Sequence, residues 1–247
     1  MKVFPKGTPD WNKFDHCILA ISLESPNHVG EALKSIIDFI NNSNYKFCTV
    51  DLSDLLYRHT YMINAENEQS AYTHALQAGD MWLAKEIQTL QKIKIPYVIK
   101  RWKEWLNHPS YRTYRRQFEK AFQSYLPFRQ AIMKDLEGFF IRRRRSRPVL
   151  ETPENIRRCA AYLLEELTCH SVMHDVLPRS ANLYPGRELS CYKLVRAGLV
   201  PDVPTGLQNS YFVRLNLWHS TKIDDKQNAS IEEKIYDFKI EKLRRSY

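Results

Sequence analysis

The sequence predicts an α/β protein: one domain on a central, mostly parallel sheet of about five strands flanked by helices. Three observations carry this. His16-Cys17-Ile18-Leu19-Ala20-Ile21-Ser22 holds a run of small or apolar residues, the pattern of a strand buried on both faces. Val29, Ala32, Leu33, Ile36, Ile37 and Ile40 then recur at helical spacing over 28–41, and Asn41-Asn42-Ser43-Asn44 stops that helix. Tyr45-Lys46-Phe47-Cys48-Thr49-Val50-Asp51 reads as a second strand. Strand, helix and strand within about 36 residues form a βαβ unit, so the strands run parallel with a right-handed crossover.

The remaining elements follow in order. Residues 1–15, polar with two prolines, read as an N-terminal extension over the surface. A helix is expected over 65–93 and a strand over Ile95–Lys100. Ser110 is positioned to cap the next helix, whose aromatic face is Tyr114, Phe118, Phe122 and Tyr125, and Pro127 should end or kink it. A helix resumes to about residue 140. Thr152-Pro153-Glu154 opens another, running to about 170. Asn182-Leu183-Tyr184-Pro185-Gly186 is a strand end with a turn, a short helix covers 187–197, and Ser210–Leu217 is the last strand. Residues 219–247 are a C-terminal extension with a helix predicted over 230–245. No repeat or linker divides the chain, so 1–247 is read as one domain.

At 247 residues with 43% hydrophobic residues, the chain can bury a real core. No apolar run approaches the roughly 20 residues of a membrane helix, and residues 1–14 lack the apolar centre of a secretory signal. Cys17, Cys48, Cys159, Cys169 and Cys191 are scattered without a CxxC pair, which suits reduced core thiols in the cytoplasm. The net charge of +9 favours a polyanionic partner. Its excess gathers in Lys100–Lys103, in Arg112 with Arg115 and Arg116, and in Arg142–Arg145 with Arg147; Lys85, Lys92 and Lys94 precede them. Together these clusters suit a phosphate backbone.

Candidate chemistry begins at Ser22. A serine between a buried strand and a helix N-terminus lies where open α/β sheets bind ligands, although the same residue can merely end a strand. Tyr162 and Glu166 share a helix face at i, i+4, where a phenol and a carboxylate can hold an ammonium group. His170 and His174 are also four apart, but no HExxH pattern or cysteine pair supports a metal site. His28-Val29-Gly30-Glu31 partly matches the ATP-holding tetrapeptide of class I aminoacyl-tRNA synthetases, with Glu31 in place of the second histidine. No phosphate-binding glycine loop accompanies it.

Over about His16 to Trp218 the chain resembles the cyclodipeptide synthases. The resemblance rests on Ala20-Ile21-Ser22, on a second strand ending Thr49-Val50-Asp51, on Tyr162 with Glu166, and on Leu183-Tyr184-Pro185 before a helix. Ser25, Tyr184 and Pro185 resemble the X-Tyr-Pro subfamily. It implies a monomeric Rossmann-like domain related to class Ic synthetase catalytic domains. It also implies two aminoacyl-tRNA substrates, a 2,5-diketopiperazine product, and no ATP, metal or other cofactor. Ser22 is then the acyl-carrying nucleophile of a ping-pong mechanism. Tyr162 and Glu166 hold the substrate ammonium, and Tyr184 positions the ester. By the same resemblance Ile18, Ala20, Cys48, Val50, Trp102 and Cys169 line an apolar, shallow first pocket for a small residue such as alanine. Ser25 and Pro185 are further substrate-binding positions, and Lys85, Lys92, Lys94, Arg112, Arg115 and Arg116 bind tRNA. Two other function classes stay open: an ATP-using, synthetase-like nucleotidyl transferase, from the tetrapeptide, and a non-catalytic RNA-binding protein, from the charge.

Overall fold

A computed structural model describes residues 2–6, 13–64, 66–146 and 151–218, without the side chains of 2–4, 6, 142–146 and 218. The compact unit Met1–Leu217 holds what is described below. Trp218–Tyr247 form a second unit, of which only Trp218 is described. The helix expected over 230–245 therefore lies outside the described residues.

In chain order the elements are β1 (Lys2–Lys6), β2 (His16–Ile21), α1 (Gly30–Asn41), β3 (Phe47–Leu52), α2 (Arg58–Ile63), α3 (Glu68–Leu90) and β4 (Tyr97–Arg101). Then come α4 (Trp102–Leu106), α5 (Tyr111–Ser124), α6 (Leu126–Ser146), α7 (Pro153–Val176), β5 (Ser180–Tyr184), α8 (Ser190–Arg196) and β6 (Tyr211–Trp218). The strands form one sheet in the order β1-β6-β5-β2-β3-β4. Strands β2 to β6 are joined by parallel pairings throughout, the expected Rossmann-like architecture. A sixth strand, β1, lies beside β6, within the segment read from sequence as a surface extension.

The chain lays β3 and β4 outward on one side of β2, then returns to place β5 and β6 on the other. Strand order therefore reverses beside β2. In open α/β sheets, ligands bind outside the carboxyl ends of the strands at such a reversal. Ser22 follows β2 there, and Tyr184 ends β5.

Side chains alternate across the sheet. Cys17, Leu19 and Ile21 of β2, with Cys48, Val50 and Leu52 of β3, pack against Leu33, Ile36, Ile37 and Ile40 of α1 and Trp82 of α3. Each of those four α1 side chains is fully buried, contributing about 1.5–3 kcal/mol. That stripe holds the helix, because its N-cap residue Val29 makes no side-chain capping bond. Ile18 faces the other way, into a cluster with Trp102, Trp105, Cys169, Val172 and Met173.

A second helical layer, α5 to α8, closes around Phe118, Phe128, Ile132, Leu167 and Val195. Pro127 does not end the preceding helix. Helix α5 stops at Ser124, and Pro127 occupies the first turn of α6, where its missing N–H costs nothing. Ser110 stands at the N-cap of α5 without a side-chain capping bond. Thr152 caps α7 as expected, accepting from the Asn155 amide at 3.1 Å. That helix runs six residues past 170 because Val172 and Met173 continue its buried stripe. Among the described residues no helix is long and apolar enough to cross a membrane.

Candidate active site

Ser22 opens a tight loop. Its carbonyl accepts from the Ser25 amide at 3.1 Å, and Ser25 Oγ accepts from Asn27 at the start of a 3-10 turn, Pro26–His28. The His28 imidazole is fully buried, and its Nδ1 accepts from the Ser22 amide at 2.8 Å. Burial pushes this imidazole down to about 4, so it stays neutral and accepting. The Trp82 indole donates to the His28 carbonyl at 3.1 Å. The histidine of the ATP-like tetrapeptide is thus spent on fixing the backbone of Ser22.

The hydroxyl of Ser22 is half-buried. Its partner is Tyr57, at the end of a 3-10 turn, Leu55–Tyr57, that follows β3; the two oxygens are 2.5 Å apart. The Glu24 amide also donates to the Tyr57 oxygen, at 3.4 Å. Burial raises the Tyr57 phenol above its ordinary value, so it stays protonated and can orient the serine but not deprotonate it. Sequence reasoning missed Tyr57. The signal available was Asp54, which caps the turn by accepting from the Leu55 amide at 2.8 Å, directly after a predicted strand.

Tyr162 and Glu166 share one face of α7, both half-buried. Burial pushes Glu166 up to about 8, and the negative charges of Asp51 and Asp135 add to this. Burial also raises Tyr162, with further contributions from Glu166, Tyr57 and Tyr184. Those mutual fields mark the three phenols and the carboxylate as one cluster. The adjacent Glu165 is in the opposite state. It is buried and takes two hydrogen bonds from Arg58, one from His59 at 3.1 Å and one from the Trp102 indole at 3.0 Å. Burial alone would raise it; the bonds from His59 and Arg58 outweigh that and hold it at about 2. One glutamate anchors α2 to α7 as an anion. Its neighbour is left to the cleft, poised near neutrality.

Tyr184 reaches the cluster from β5, its ring 5.5 Å from that of His28. A Cβ at Gly186 would lie 2.4 Å from Tyr184 Cε1, so only glycine lets the ring occupy this place. Pro185 is half-buried in the same turn.

The expected first pocket is only partly assembled. Ile18, Trp102 and Cys169 share one cluster, and Ala20 lies on the same sheet face as Ile18. Cys48 and Val50 do not join them. They pair with Cys17 and Leu19 and face α1. The residues of β3 that share the face of Ile18 and Ala20 are Thr49 and Asp51, one position along. Alternation makes a one-residue slip a change of face. Trp102 is fully buried, with its indole engaged by Glu165.

Of the expected tRNA contacts, Lys85, Lys92, Lys94, Arg112 and Arg116 are exposed. Arg115 is not free: it binds Glu119 at 2.7 Å and the Ala161 carbonyl at 3.0 Å, tying α5 to α7. The side chains of Arg142–Arg145 and Arg147 lie outside the described residues. His170 and His174 turn to separate partners, the Tyr192 hydroxyl and Ser180 Oγ.

Fold and site together define a Rossmann-like α/β protein with a backbone-fixed serine at its topological switch point. No family model matches the sequence, and no curated protein matches it. Solved structures do resemble it. A cyclodipeptide synthase from Fluoribacter dumoffii superposes with a TM-score of 0.77 at 24% identity, covering 87% of this chain and 96% of that one. One from Candidatus Glomeribacter gigasporarum, bound to Phe-tRNAPhe, gives 0.64 at 19% identity over 85% and 91%. A Mycobacterium tuberculosis protein, described as relating cyclodipeptide synthetases to type I tRNA synthetases, gives 0.67 at 14% identity over 87% and 92%. The chain thus has the fold of these enzymes.

Proposed function

We propose that the protein is a tRNA-dependent cyclodipeptide synthase of the X-Tyr-Pro kind, with Ser25, Tyr184 and Pro185 in the defining positions. The observation that carries this is the Ser22 hydroxyl, held against Tyr57 at the switch point of a fold shared with cyclodipeptide synthases. An aminoacyl ester is already activated, so an oriented hydroxyl suffices for transfer and no ATP is required. Ser22 Oγ attacks the ester carbonyl of the first aminoacyl-tRNA, its proton passes to the departing ribose oxygen, and the tRNA leaves. Tyr162 and Glu166 hold the ammonium of the bound aminoacyl group, and Tyr184 supports the developing oxyanion. The amine of the seryl-bound aminoacyl group attacks the ester carbonyl of a second aminoacyl-tRNA, and that tRNA leaves with its ribose oxygen protonated. The dipeptidyl group is then carried on Ser22, and its free amine closes the ring and releases the serine. The enzyme works as a monomer in the cytoplasm, with two aminoacyl-tRNAs as its partners.

The buried, backbone-bonded His28 speaks against the ATP-using alternative. Incubating the full chain with labelled aminoacyl-tRNA, without ATP, tests the reading. The expected result is acid-stable label on the protein and diketopiperazine in the extract, with both lost in Ser22→Ala. Activity that needs ATP and free amino acid, or tRNA binding without turnover, would overturn it.

A further inference from the structure

The sheet face beneath Ser22 carries the buried polar side chains Thr49, Asp51 and Asn182 among its apolar ones. Asp51 pairs in register with Ala20 and is fully buried. Its Oδ1 accepts from the Trp105 indole at 2.7 Å, but among the described residues Oδ2 has no hydrogen-bond partner. His170 lies four residues after Glu166, one turn further along α7. Its Nδ1 meets the Tyr192 hydroxyl at 2.9 Å, while its Nε2 is likewise without a partner. Asn182, in register with Ile18 on β5, presents a third buried atom in this state, Oδ1. Each such atom is destabilising if nothing ever satisfies it. Three on one face, around a strand that ends at the proposed nucleophile, point to a group that arrives with the substrate.

The spacing says what kind of group. His170 Nε2 and Asp51 Oδ2 are 3.9 Å apart, too far to bond each other. One atom placed between them can bond both, accepting from the imidazole and donating to the carboxylate. In the tautomer in which the Tyr192 phenol donates to Nδ1, the imidazole carries its proton on Nε2, facing Asp51. Burial pushes Asp51 up to about 7 and His170 down to about 4, so the pair suits a neutral polar group better than an ammonium. The field of Asp51 is felt by both Glu166 and Cys169, which ties the pair to the cleft.

We propose that Asp51 and His170 form the floor of the first aminoacyl pocket. They select a short side chain whose end both donates and accepts hydrogen bonds, a hydroxyl or a carboxamide. This rests on the cyclodipeptide synthase reading and replaces alanine, expected of an apolar, shallow pocket, with a polar residue.

The test charges one tRNA with seryl, threonyl, asparaginyl, alanyl, 2-aminobutyryl or leucyl groups and measures label retained on full-length protein. The wild type is expected to prefer the first three over the aliphatic groups by at least about tenfold, because a site built for a hydrogen bond rejects an analogue lacking it. Asp51→Val should lose or reverse that ranking, and Asp51→Asn should keep it. A wild-type preference for alanyl or leucyl groups overturns the assignment, and needs no variant to fold. So does an unchanged ranking in folded Asp51→Val. Cyclic dipeptides built only from aliphatic residues remove this assignment alone. No label and no cyclic dipeptide from any of the twenty aminoacyl-tRNAs removes the cyclodipeptide synthase reading itself, and this with it.

Discussion

The Tyr57 phenol and the Ser22 hydroxyl meet at 2.5 Å, joining the end of one central strand to the turn that follows its neighbour. The contact fixes the rotamer of a side chain that has few other constraints. Removing it should leave the serine present but poorly aimed. Tyr57→Phe is therefore expected to slow acylation of Ser22 by about ten- to a hundredfold, the usual cost of a misplaced reacting group. Single-turnover labelling with aminoacyl-tRNA measures this, with circular dichroism confirming the fold. A rate equal to wild type would show that the phenol only fills space.

Glu166 gives a pH signature. Its pKa in the folded protein is raised to about 8, above that of an unfolded glutamate. Between those values the folded state binds more protons than the unfolded state, so stability falls as pH rises. Asp51, raised to about 7, acts in the same direction. Below about pH 6.5 the buried His28 and His170, held down to about 4, oppose this, so the melting temperature should decline from about pH 6.5 to pH 9. Glu166→Gln should flatten the decline and melt higher than wild type at pH 9, each kcal/mol recovered being worth about 2–4 °C. Parallel thermal melts of the two proteins across this range decide it; identical slopes would contradict the assignment.

Arg115 and its neighbours separate binding from folding. Arg112 and Arg116 are exposed, whereas Arg115 pairs with Glu119 within α5 and ties that helix to α7 through the Ala161 carbonyl. The double change Arg112→Ala, Arg116→Ala should weaken tRNA binding and flatten its salt dependence, leaving the melting temperature within about 2 °C. Arg115→Ala should instead lower the melting temperature by several degrees, about 1 kcal/mol or more for the lost bonds. Filter binding across a salt series, with melts alongside, distinguishes the two.

Long apolar periodicity made most of the fold legible. The runs at His16–Ile21 and Phe47–Leu52 and the stripe of α1 need no tertiary information, because their burial pattern is written in their spacing. Helix and strand ends were less legible. Pro127 can end a helix or begin one, and which it does depends on where the preceding helix stops. The site divides in the same way. The shared face of Tyr162 and Glu166 follows from their spacing, whereas Tyr184 and Pro185 were singled out only by the family resemblance. Cys48 and Val50 fell on the wrong face because strand register is set by pairing with β2, which single-strand spacing does not carry. Tyr57 stands outside any periodic element, and only the packing of its turn against Ser22 gives it meaning.

The alternation of β2 has a consequence for how such a protein changes over time. Cys17, Leu19 and Ile21 face the dry layer under α1, while Ile18 and Ala20 face the polar floor below Ser22. Under the proposed function, neighbouring codons therefore answer to different selective pressures, one set to melting and the other to what the serine is handed. A library confined to positions 18 and 20 samples new specificities while the packing under α1 stays intact. The same mutational load at 17, 19 and 21 would be spent on solubility and fold. Interleaving lets a single six-residue strand evolve along two nearly independent axes.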